Sequence, residues 1–118
     1  MAGEYGEINS RVDYHRVLGE ATDIVRSILT RTPADATMQR INKQLEAMKR
    51  WTGSGRKPTE NERRNIDVGL VAAREFSETT GEPADLSQKL FVLNNYFEDW
   101  PTDAEAASAS DEDFLDDD

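Results

Sequence analysis

The stretch NERRNIDVGLVAAREFSET, residues 61–79, decides how this chain folds. It reads as one helix opened by Thr59, which stands three positions before Glu62 in the reciprocal capping-box arrangement. At 100° per residue, Ile66, Val68, Gly69, Leu70, Ala72, Ala73 and Phe76 spread over about 200° of the helical wheel. Asp67, Arg74, Glu75 and Glu78 fill the remaining strip, with Val71 among them. A helix apolar over so wide an arc needs neighbours on more than one side, so it is expected at the centre of a bundle. Gly69 lowers helix propensity there by ~1 kcal/mol relative to alanine. Beside Ala72 and Ala73, it is expected to let another backbone come close.

The segments on either side read as helices too. From Ser10, a good N-cap, to about Thr30, the residues Tyr14, Val17, Leu18, Ala21, Ile24, Val25, Ile28 and Leu29 share one face. Pro33 ends that segment. Over residues 35–51, Met38, Ile41, Leu45, Met48 and Trp51 recur at spacings of three and four, and the two glycines and proline of TGSGRKP then break the chain. Pro83 suits a first helical turn, and Leu86, Leu90, Leu93, Phe97 and Trp100 form a stripe that Pro101 stops. No segment alternates like a strand. The expected fold is all-α: a bundle of about four helices over residues 10–101, with a flexible N-terminus at 1–9.

The net charge of −10 is unevenly placed. Residues 102–118, TDAEAASASDEDFLDDD, hold eight acidic groups and no basic one, whereas residues 1–101 carry sixteen acids against fourteen Lys and Arg. Only Phe114 and Leu115 in this tail are apolar and larger than alanine, too little to offset an ordering cost of ~1–2 kcal/mol per residue. The tail is expected to be disordered. DEDFLDDD reads first as solubilising, and second as a segment that docks onto a basic pocket.

Chemistry has little to work with. The chain has no cysteine, so a disulfide or thiolate metal site is unavailable. His15 is the lone histidine and suits a partly buried structural position better than a metal or acid–base role. TGSGRKP lacks the P-loop spacing, and no carboxylate pair stands apart as catalytic. The expectation is a protein without enzymatic activity, cofactor or metal. Lys49, Arg50, Arg56, Lys57, Arg63 and Arg64 surround Trp51 in a basic patch, but Glu60 and Glu62 interrupt it and the tail would repel a polyanion. That weighs against nucleic acid. No apolar run approaches the ~20 residues that cross a bilayer, and MAGEYGEINS has no signal-peptide pattern, so a cytoplasmic location without membrane contact is expected.

Three stretches carry a family resemblance: INKQLEAMKRW with Lys43, Gln44, Leu45 and Glu46, NIDVGLVAAREFSET with Gly69 to Phe76, and DLSQKLFVLNNYFEDW opening on Asp85 and Leu86. Over residues 38–100 the chain resembles the small helical immunity proteins that bacteria pair with type VI secretion toxins of the NAD(P)+ glycohydrolase class. The basic loop and acidic tail depart from that compact pattern. The resemblance implies a module that binds a cognate toxin and occludes its active site.

The residues offer a surface for such a partner. Phe91 points away from the leucine stripe, toward Asn94, Asn95 and Glu98, and an aromatic ringed by polar groups is a common interface anchor. The expected partner-binding residues are Asp67, Val71, Arg74, Glu75 and Glu78 on the third helix, with Phe91, Asn95 and Glu98 on the fourth. The alternative is an adaptor or regulatory protein of phage or plasmid origin, whose acidic tail captures a basic partner. A homodimer through the same surface stays open.

Overall fold

The computed structural model describes residues 5–75, 82–102 and 104. Among the described residues five helical segments follow one another: α1 Arg11–Arg31, α2 Ala36–Thr52, α3 Glu60–Arg64, α4 Val68–Glu75 and α5 Glu82–Asp99. The described chain is all-helical. The segments begin where side chains satisfy their first free amides. Ser10 Oγ accepts from the Asp13 N–H at 3.2 Å and Asp35 Oδ1 from the Met38 N–H at 3.0 Å. The Thr59 hydroxyl and Glu62 carboxylate form the full capping box, and the nearby Arg56 guanidinium holds the Glu62 carboxyl below its ordinary pKa.

The helices pack in the order α2, α1, α5, α4, with α2 also touching α4. The expected apolar faces are the buried ones: Tyr14, Val17, Leu18, Ala21 and Val25 of α1 meet Met38, Ile41, Leu45 and Met48 of α2 and Leu86, Leu90, Leu93 and Phe97 of α5 in one core. Tyr14 stacks on Tyr96 at 5.1 Å, and Trp100 stands edge-on to both at 5.3 and 5.6 Å. Such aromatic pairs contribute about 0.5–1.5 kcal/mol each beyond the area they bury. Burial drives the Tyr14 hydroxyl pKa well up, against its hydrogen bond with Thr52.

Three expectations are corrected. The helix over residues 59–79 is interrupted: α3 ends at Arg64, Asn65 to Asp67 turn the chain, and α4 starts afresh at Val68, while residues 76–80 lie outside the described ones. The central helices are α1 and α5, each with two extensive neighbours; α4 lies chiefly on α5, its break having turned an apparently all-round apolar helix into a short one at the edge. Nor does the whole segment 1–9 stand free of the fold. Tyr5 and Ile8 are buried in the core, and Tyr5 sits against the last turn of α5, donating its hydroxyl to Asp99 Oδ2 at 2.7 Å and standing edge-on to Tyr96 at 5.6 Å. Residues 1–4 and 105–118, including most of the expected disordered tail, lie outside the described residues.

At the end of α5 the Trp100 N–H still bonds the Tyr96 carbonyl at 2.7 Å, but Trp100 itself turns left-handed at φ 42°. A bulky residue there is strained by about 1–3 kcal/mol. The Tyr14 and Tyr96 rings, and the Arg11 guanidinium lying 4.7 Å over the indole, hold it in place.

Candidate functional site

The site is built at the break between α3 and α4. Asp67 is tied to α2 by a reciprocal pair: its N–H donates to Gln44 Oε1 at 2.8 Å, and Gln44 Nε2 donates back to Asp67 Oδ1 at 2.6 Å. Arg40 donates to the other carboxylate oxygen at 2.7 Å. Two residues on, the Gly69 N–H donates to Asn94 Oδ1 of α5 at 2.9 Å. The first turn of α4, with its free amides and positive dipole end, is thus capped by a side chain from another helix. This is what Gly69 is for. A Cβ on it would lie 3.0 Å from the Asn94 Cβ, so the close neighbour is a side chain and not the backbone expected from the sequence.

Between α4 and α5 this junction leaves an open groove of about 380 Å³. Gly69, Asn94 and Ile66 form its floor and wall, Leu70 and Phe91 its apolar sides, and Asp67, Asn95 and Glu98 its polar rim. Leu70 is 55% and Phe91 49% exposed, so two large apolar side chains from different helices meet water at one place. Among the described residues the other exposed large apolar side chain, Val12, lies on α1.

Of the residues expected to bind a partner, the structure brings Asp67, Phe91, Asn95 and Glu98 to this groove. Arg74 is exposed on α4 but does not line it. The Glu75 side chain and Glu78 lie outside the described residues. Val71 is corrected: it is only 7% exposed and belongs to the core with Val68 and Ala72, while Leu70 takes the surface position. The wheel misplaced it because Leu70, which lies about 160° round the helix from Val68, was counted with the buried arc although it is exposed. Starting the wheel at Val68 puts Val68, Val71 and Ala72 at i, i+3 and i+4, which recovers the observed face. Ile66, Gly69, Leu70 and Asn94 also line the groove and were not among the residues expected to bind a partner.

Elsewhere the charged groups are largely matched to each other. Arg56 bonds Glu62 at 3.0 Å, Arg64 pairs with Glu60, and Arg63 donates to the Glu98 carbonyl at 3.1 Å. Trp51 is half-buried, stacked 6.4 Å from Phe97. His15 lies edge-on to Tyr14 at 5.0 Å, and burial followed by the Arg11 charge lowers its pKa. Among the described residues no three His, Asp or Glu side chains gather in a way that could hold a metal ion. No described helix is long and apolar enough to cross a membrane.

No curated protein and no solved structure matches the chain. The model of the Tsi6 family does, over residues 13–99, which runs from the first turn of α1 to the last residue of α5 and takes in the whole groove. The chain therefore belongs to the Tsi6 family, a family of type VI secretion immunity proteins.

Proposed function

We propose that the protein binds a cognate type VI secretion toxin in the cytoplasm of the producing cell and neutralises it by covering the active site, without catalysis of its own. The family supports the role, and one structural observation carries the site. Leu70 and Phe91 stand half-exposed on either side of a groove whose floor is fixed by Asn94 and Gly69 and whose rim is polar. A preorganised apolar centre inside a hydrogen-bonding rim is the anatomy of an interface hot spot. Asp67 belongs to the frame, since its carboxylate is already held by Arg40 and Gln44; Phe91, Leu70, Asn95 and Glu98 are the residues offered to the partner. The resemblance of residues 38–100 points to a toxin that hydrolyses NAD(P)+.

The test is growth of cells expressing the toxin domain encoded beside this gene, with and without the protein, while total NAD+ is followed. Rescue with NAD+ preserved supports both the role and the toxin class. Rescue from a toxin that leaves NAD+ untouched keeps the role and removes the class, and failure to rescue removes the role.

A further inference from the structure

The basic loop does not line the groove, and in the sequence an acidic run follows closely on the helix that this loop packs against. Residues 49–64 hold six cations against two carboxylates, a net of +4. The rest of residues 1–101 holds eight cations against fourteen carboxylates, so this end of the bundle is the one strongly basic stretch in the chain. Two contacts fix it against the last turn of α5: Trp51 stacks on Phe97 and Arg63 holds the Glu98 carbonyl. Residues 102–118, with eight carboxylates and no cation, begin four positions after Glu98 in the sequence. Glu62 and Glu60 occupy Arg56 and Arg64, while Lys49, Arg50 and Lys57 are exposed.

We propose that this basic end is an anion-binding surface whose resident ligand is the chain's own acidic tail, held by Lys49, Arg50 and Lys57. The tether makes the encounter intramolecular, at an effective concentration on the order of millimolar. Opposite charges then draw the tail onto the patch. Because the charges are exposed, the contact depends on screening: the Debye length falls from about 10 Å at 0.1 M salt to about 3 Å at 1 M.

The chain has no cysteine, so Ser110→Cys gives a single site for a nitroxide label in the full-length protein. In low salt the label should reduce the amide signals of residues 49–57 to less than half, and leave the turn at residues 32–35, at the far end of α2, unchanged. Raising salt to 0.5 M, or combining Lys49→Glu, Arg50→Glu and Lys57→Glu, should restore those signals. Tethering alone would bring the label near this end whatever the salt. Broadening that survives both treatments therefore overturns the proposal, as does broadening spread evenly along the chain or centred on the Leu70–Phe91 groove.

Discussion

At the scale of single residues, the structure turns on a few side chains with more than one duty. Asn94 both caps α4 through the Gly69 N–H and floors the groove. Asn94→Ala leaves that buried N–H without its acceptor and should lower stability by about 1–3 kcal/mol, read as a lower urea midpoint at unchanged m-value. Trp100 gives a paired test. Alanine and glycine both remove the indole, but only glycine accepts φ 42° without strain, so Trp100→Gly should be more stable than Trp100→Ala by roughly 0.5–1 kcal/mol. His15 gives a pH test. Its folded-state pKa lies below the ordinary value, so as pH falls below about 6.5 the unfolded chain takes up the proton first and stability declines. His15→Gln should flatten the stability profile between pH 7 and 5.5; an unchanged slope would show that the imidazole contributes nothing there. Phe91 was legible at this scale, because an aromatic off the leucine stripe has few buried places to go. Val71 was not, because one residue of helical phase separates core from surface.

At the scale of elements, α1, α2 and α5 could be read almost to their ends, since each carries a long stripe at spacings of three and four and a recognisable start or stop. The break between α3 and α4 could not. Nothing in RRNIDVG forbids a helix, and no proline or paired glycine marks the turn. What ends α3 is tertiary: Gln44 and Arg40 on α2 hold both the N–H and the carboxylate of Asp67, and Asn94 on α5 takes the Gly69 N–H. Hydrogen bonds from two other helices outweigh the modest gain of continuing one helix through three residues. Gln44→Ala should therefore destabilise by about 1–2 kcal/mol, and hydrogen exchange should quicken first in residues 66–70, well before the α1–α5 core. Uniform quickening across the molecule would contradict a local latch.

At the scale of the whole molecule, the chain separates its surfaces by chemistry: an apolar-centred groove between α4 and α5, and a basic end where α2 and α3 meet the last turn of α5. The bundle class was legible because helical periodicity is a local property. The groove was not, because it arises only when the break swings Leu70 outward beside Phe91. The claim that matters most is that this groove holds the toxin, and the direct measurement is the dissociation constant of the purified full-length protein with the toxin domain, compared with the Leu70→Asp, Phe91→Asp double variant. Both side chains are half-exposed, so the variant should melt within a few degrees of the original protein. Hot-spot residues each contribute about 2 kcal/mol or more, and each 1.4 kcal/mol is tenfold, so the account predicts affinity weakened by at least a hundredfold. A folded variant that binds the toxin within twofold of the original would place the interface elsewhere and contradict the account.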